Sequence, residues 1–291
     1  MKQMKNFHPL VSFLYFLFVI GYSMFILNPH YVIISFLLSL TYSLMLKGKK
    51  SIKTLIYFLP MALFMLIINP LVNTSGETVL FHLAEGRPIT KEAILFGALS
   101  AVMIICVILW FSSFNEIIDD DKINYLFGKI APSFALIFCM TLKFIPSFIR
   151  HLKKVLRAQK GIKSQKSFTQ KLKTSLSVFS ATITWAFENA IETSDSMRAR
   201  GYGLFKRTNY SIYKFTKNDA LVLFLILMFA GFIFIENFIN SASMVFFPKI
   251  IYPSYDLSGI ISFVFYFLLI LIPSISEIWE VLKWKLLKSK I

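Results

Sequence analysis

The chain has 291 residues, of which 56% are hydrophobic and only 16% charged, and its mean hydropathy is +0.67. A soluble domain carries about 25% charged residues, so this composition excludes an ordinary water-soluble fold. Its 31 Lys and Arg exceed its 15 Asp and Glu, giving a formal charge of +16; no basic stretch with interleaved aromatics sits on a soluble domain, so the charge points to cytoplasmic loops beside anionic lipid and not to nucleic acid.

A bilayer core of about 30 Å needs about 20 apolar residues in a helix. Residues 9–27, PLVSFLYFLFVIGYSMFIL, meet that requirement. Lys2 and Lys5 precede the run and it has no small-residue cleavage site, so it is expected to be a retained first span and not a signal peptide. Residues 31–46 make a short second span, 54–72 a third kinked at Pro60 and Pro70, and 92–112 a fourth. Lys47, Lys49, Lys50 and Lys53 place the loop between the second and third spans inside. The N-terminus is then inside too, and 73–90, whose one basic residue is Arg87, is outside.

Residues 125–149 are apolar but are interrupted by Lys129, Pro132, Lys143 and Pro146. A crossing here would carry the next segment outside, yet 150–218 holds 15 of the 31 basic residues. The segment is therefore expected to return within the protein or to lie along the cytoplasmic interface. In 150–161, Leu152, Val155 and Leu156 share one helical face, with Lys153, Lys154, Arg157 and Lys160 around it, the pattern of an interfacial helix. A second helix is expected over 172–187. A third, over 186–200, carries Glu188, Glu192 and Asp195 as one acidic stripe and ends at Gly201 and Gly203. Spans at 220–239 and 258–276 bring the total to six, with both termini inside. The expected fold is all-α: a multi-pass membrane protein of the cell membrane, with an N-terminal bundle over 1–124, cytoplasmic or interfacial helices over 125–218, and C-terminal spans with a basic tail over 219–291.

The chain lacks the residues of most catalytic chemistries. There is no G-x-x-x-x-G-K-[ST] phosphate loop, no H-E-x-x-H and no G-x-S-x-G. Cys106 and Cys139 lie in apolar segments and imply neither a disulfide nor a metal site. His8, His30, His82 and His151 are scattered, and Glu92, Glu236 and Glu277 fall near span ends. No catalytic residue, metal or cofactor is expected, and the membrane part reads as a packed scaffold and not as an ion pathway.

Residues 194–203, SDSMRARGYG, stand apart from the apolar chain. Arginine in a last helical turn complements the helix dipole, worth about 0.3–1 kcal/mol, and glycine after it allows a left-handed cap. An ordinary helix end accounts for both. A similar element about 40 residues earlier, Gln159-Lys160-Gly161, adds a second basic residue followed by glycine. Two such elements can present two cations to two partner surfaces, and a guanidinium can grip a carboxylate bidentately. The insert and its placement resemble the transmembrane coupling (T) component of energy-coupling-factor (ECF) transporters, in layout over the whole chain and specifically over 143–205. That resemblance identifies Ala199-Arg200-Gly201 with the family's second ATPase-docking motif. Gln159-Lys160-Gly161 is similar to the first, with Lys160 in place of arginine and so without the bidentate fork. The resemblance implies a non-catalytic subunit bound to two ABC ATPases and to a separate substrate-binding S component, which takes up a vitamin or metal ion. For the S contact, the many Ser, Thr and Ala of 172–197 allow close helix approach. The reading from another class is a stand-alone insertase or secondary carrier, whose basic insert binds lipid or ribosome.

Overall fold

The computed structural model describes residues 3–82, 88–162, 168–204, 213–239, 244–252 and 256–288. Arg87 and the segment 163–167 between the expected interfacial helices lie outside the described residues. The chain divides into two compact units, one of 1–120 with 213–291 and the other of 121–212.

The first unit is a helical bundle. After the short α1 (Gln3–Asn6) come α2 (Pro9–Phe25), α3 (Pro29–Lys47), α4 (Lys49–Val72) and α5 (Lys91–Ile117). The starts of these helices are written in the sequence. Pro9 and Pro29 occupy first-turn positions, where a missing N–H costs nothing, behind the capping side chains of His8 and Asn28. Thr90 caps α5 by accepting from the Ala93 amide at 3.4 Å. Between α4 and α5 a small antiparallel pair forms, β1 (Val79–His82) with β2 (Pro88–Thr90), which the apolar patterning did not foretell. The later helices of this unit are described below, after the second unit that separates them in the chain.

The second unit contains most of α6 (Asp120–Ile130), then α7 (Pro132–Ile162) and α8 (Phe168–Ala199). Here the structure corrects the expected division. The apolar 125–149 and the basic 150–161 were expected to be separate elements; from Pro132 they form one helix of 31 residues, with Pro146 inside it. Likewise 172–187 and 186–200 join in one helix of 32 residues, because no glycine or proline separates them.

The chain then returns to the bundle through α9 (Lys217–Phe234), which runs into a π-helical turn at Ile235–Ile239, and α10 (Leu257–Lys288). A full capping box opens α9, with Thr216 and Asp219 bonded reciprocally. Asp219 also accepts from the His8 amide at 3.1 Å, so one carboxylate ties the starts of α2 and α9 together. Helix α5 packs against α2, α3 and α4, while α10 packs against α3 and α9. Tyr15, Phe16, Tyr42 and Trp110 are fully buried and meet edge-on or tilted, with ring centroids 5.2–6.3 Å apart.

A polar seam crosses this apolar interior. The Trp110 indole donates to Ser35 at 3.1 Å, Ser35 pairs with Ser23 at 2.8 Å, and Ser23 reaches the Tyr266 hydroxyl at 3.4 Å. Tyr31 and Asn237 both donate to Ser262, at 3.2 and 3.3 Å. In a membrane interior such groups bond to one another because lipid offers no partner.

Among the described residues, six helices are long and apolar enough to cross a membrane: α3, α4, α5, α7 over Pro132–Gln159, α9 with its π-helical turn over Lys217–Asn237, and α10. They are not the six expected from the sequence. Helix α2 is apolar but has only 17 residues, whereas joining 132–149 to 150–162 brings α7 to the required length.

Candidate functional site

The second unit is organised by the seam between α7 and α8. On α8, Thr174, Val178 and Thr182 are buried at i, i+4 spacing, and the line continues through the half-buried Trp185, Asn189, Thr193 and Met197. The flat His151 and Trp185 rings stack with centroids 4.2 Å apart and planes within 8°. An apolar notch of about 170 Å³ lies between Phe144 and Phe148 on α7 and Ala186 and Ala190 on α8. A larger cleft, about 450 Å³, sets Met140 and Lys143 against Glu192, Met197 and Arg200. As the α7 number falls, its α8 partner's number rises, so the two helices run antiparallel.

Arg200 sits where α8 stops. The Gly201 amide donates to the Arg198 carbonyl at 2.9 Å, and the Tyr202 amide to the Met197 carbonyl at 3.0 Å. With Gly201 at φ +83°, these two bonds make a Schellman cap. The cap is made by backbone. Among the described residues, no side-chain hydrogen bond or ion pair engages the Arg200 guanidinium, which is exposed at the rim of the larger cleft. Lys143 also borders that cleft, and Glu192 is its one carboxylate. The lining therefore carries two cations against one anion, with Met140, Phe144 and Met197 beside the polar Asn189, Thr193 and Ser196. The excess of cations suits a partner's carboxylate.

Ala199, Arg200 and Gly201 thus form one capped helix end, exposed at Ala199 and Arg200. Gln159, Lys160 and Gly161 are built differently. All three belong to α7, and Gly161 has helical backbone, with no left-handed turn among the described residues there. Both elements therefore stand at helix ends: that of Arg200 closes in a described cap, while that of Lys160 lies in the last turn of α7, and 163–167 beyond it fall outside the described residues. The two elements do not meet. Gln159 lies nineteen positions along α7 from Met140, which borders the Arg200 cleft; at 1.5 Å per residue this is roughly 30 Å.

Sequence reading missed Lys143 as a neighbour of Arg200, because a separation of 57 positions in the chain gives no sign of the antiparallel register. It found the acidic stripe of Glu188, Glu192 and Asp195, all exposed, without showing that Glu192 enters the cleft. It also undervalued three carboxylates of the bundle, of which Glu277 is 4% exposed. Glu92 is 2% exposed and accepts from Thr78 at 2.6 Å, and Glu236 is 8% exposed and accepts from Ser258 at 3.0 Å. Among the described residues no group of three or more His, Cys, Asp or Glu is placed to hold a metal.

Comparison with known proteins agrees with this architecture. The family model described as "Cobalt transport protein", CbiQ, matches residues 2–210, which include both elements of the second unit. An uncharacterized protein of Mycoplasma genitalium is 35% identical over 106 residues, 35% of this chain and 25% of that protein. The energy-coupling factor transporter transmembrane protein EcfT of Bacillus selenitireducens is 32% identical over 110 residues, 36% of this chain and 41% of that protein. The aligned part thus spans less than half the length of either relative. With the family match extending over most of its length, this multi-pass membrane protein belongs to the CbiQ family of cobalt transport proteins.

Proposed function

We propose that the chain is the transmembrane coupling component of an ECF-type transporter. In this reading it does no chemistry of its own. Two ABC ATPases bind and hydrolyse ATP, and their closing moves α7 and α8. A separate S component on the same assembly then reorients and releases a vitamin or metal ion. Residues 1–124 and 219–291 serve as the membrane scaffold and 125–218 as the coupling segment.

The observation that carries the proposal is the state of Arg200. Its backbone completes a cap, yet its guanidinium is exposed beside a cleft with an excess of cations. A guanidinium held this way is set to grip a partner's carboxylate. The roughly 30 Å between the two elements supports two separate docking points, one for each ATPase, with Gln159, Lys160 and Gly161 at the second. The relative named as an energy-coupling factor transporter transmembrane protein supports the same assignment.

The surface of α8 supports an S-component contact. Phe168, Leu172, Leu176, Phe179, Phe187 and Ile191 are exposed along its length. The hydroxyls of Thr174, Ser175, Thr182, Thr184 and Thr193 donate to carbonyls four residues back, at 2.7–3.1 Å. The outer face thus presents apolar side chains and, at Ser175 and Thr184, hydroxyls already satisfied within the helix, which suits an apolar helix face of another membrane subunit.

The test is co-purification of the ATPases with the full chain, paired with an uptake assay. Arg200→Ala removes a dipole contribution of only about 0.3–1 kcal/mol, so the chain stays folded. Losing a charge-assisted contact that leaves a partner carboxylate buried costs roughly 2–5 kcal/mol, so ATPase capture and uptake fall sharply. Arg200→Lys restores part of both. Full capture and uptake by a folded Arg200→Ala chain would sink the assignment of Arg200 as a docking residue.

A further inference from the structure

We infer that α7 carries a binding site for anionic phospholipid headgroups, formed by Arg150, Lys153, Lys154 and Arg157. The inference concerns the membrane and does not depend on the ATPase reading.

It starts from the exposed surface of α7, which changes character within one turn. Before the change, Phe134, Ile137, Phe138, Ile145 and Ile149 are exposed, between 44% and 76%. After it, Arg150, Lys153, Lys154 and Arg157 are exposed. Along Thr141, Ile145, Ile149, Lys153 and Arg157 the i, i+4 row turns about 40° round the helix at each step, so the cations follow the apolar residues along the helix and lie further round it. Thr141, an exposed polar residue of this part, donates its hydroxyl to the Ile137 carbonyl at 2.8 Å and is satisfied within the helix. Lys143, the other basic residue of this stretch, borders the cleft toward α8.

An exposed apolar row is costly in water and favourable in acyl chains. A helix that presents such a row and then a cluster of cations matches an interfacial helix, its apolar side sunk in the acyl boundary and its cations among the headgroups. The half-buried Leu152, Val155 and Leu156 lie on a different face, which leaves the four cations free to point outward. Among the described residues none of the four forms an ion pair. Four unpaired cations within eight residues need counter-charge, and the anionic leaflet beside a membrane protein supplies it at high local density.

The experiment uses the full chain in vesicles of phosphatidylcholine with phosphatidylglycerol. Each lipid in turn carries a headgroup diazirine, and photo-adducts are mapped by mass spectrometry. The glycerol lipid is expected to mark the peptide containing 150–157 and the choline lipid to leave it largely unmarked. Each cation near an anionic surface contributes about 5-fold, so combined Arg150→Gln, Lys153→Gln, Lys154→Gln and Arg157→Gln lowers that adduct at least about 5-fold. Adducts near Lys47–Lys53 stay unchanged. Raising salt on the unaltered chain lowers the 150–157 adduct as well, a readout that needs no variant to fold. Equal marking by both lipids, or adducts insensitive to salt, would overturn the site. So would an unchanged adduct in a folded fourfold variant that no longer captures the ATPases, because the basic row would then be a protein contact.

Discussion

Arg200 and Gly201 have separate tasks at the end of α8. Gly201 supplies backbone shape at φ +83°, and Arg200 supplies charge. A Cβ at position 201 would meet only the Leu204 Cδ1 atom, at 3.6 Å, so space does not forbid a side chain. The left-handed conformation does, at a cost of about 1–2 kcal/mol for an ordinary residue. Gly201→Ala is therefore expected to loosen the turn and weaken ATPase capture while the Arg200 charge is kept; Gly201→Asn should do less, because asparagine tolerates this conformation. Pull-downs of both variants beside Arg200→Ala check whether shape and charge are both required. At Gly76 the opposite limit holds. A Cβ there would lie 2.7 Å from the Glu92 Oε2 atom and from the Thr90 side chain. Gly76→Ala is expected to lower stability by about 1–3 kcal/mol, read as a lower melting temperature in detergent.

At the level of elements, the α7–α8 seam matters most, since any coupling role needs the two helices to move together. The His151–Trp185 stack is its one aromatic pair among the described residues. Trp185→Ala is expected to remove about 0.5–1.5 kcal/mol of stacking beyond the lost contact area, whereas Trp185→Phe keeps much of it. Hydrogen exchange of α8 amides should accelerate in the alanine variant and change little in the phenylalanine one. The helical character of both segments was legible from their apolar periodicity. Their continuity was not: Pro132, Pro146 and two lysines in 125–149 read as interruptions, while the structure accommodates Pro146 inside α7. Proline removes one hydrogen bond and bends a helix, but the apolar row on both sides of it still has one common environment to face.

For the whole molecule, the placement of positive charge remains the governing argument. Fifteen of 31 basic residues in 150–218 argue that this segment stays inside, even though α7 meets the length and apolarity of a span. An interfacial position for α7 satisfies both facts. Single cysteines at Phe81 and Ile251, both exposed and in loops expected outside, should react with a membrane-impermeant reagent in intact cells. A cysteine at Lys153 should react only after the cells are opened. Labelling of position 153 from outside would overturn the orientation and, with it, a cytoplasmic docking role for Arg200.

The sequence by itself determined the class, five of the helices in the bundle to within a few residues at their starts, and the capped end at Arg200. These follow from local causes: apolar runs long enough for a bilayer, proline and Thr or Asn at helix starts, and glycine after the last turn. Only the tertiary structure decided that α7 and α8 are antiparallel, that Lys143 and Glu192 share a cleft with Arg200, and that the 159–161 element ends α7 far from that cleft. It also decided that Glu92 and Glu236 are buried and hydrogen-bonded. Register, burial and partners depend on which faces meet across dozens of residues of chain, and helical periodicity describes each face without naming its neighbour.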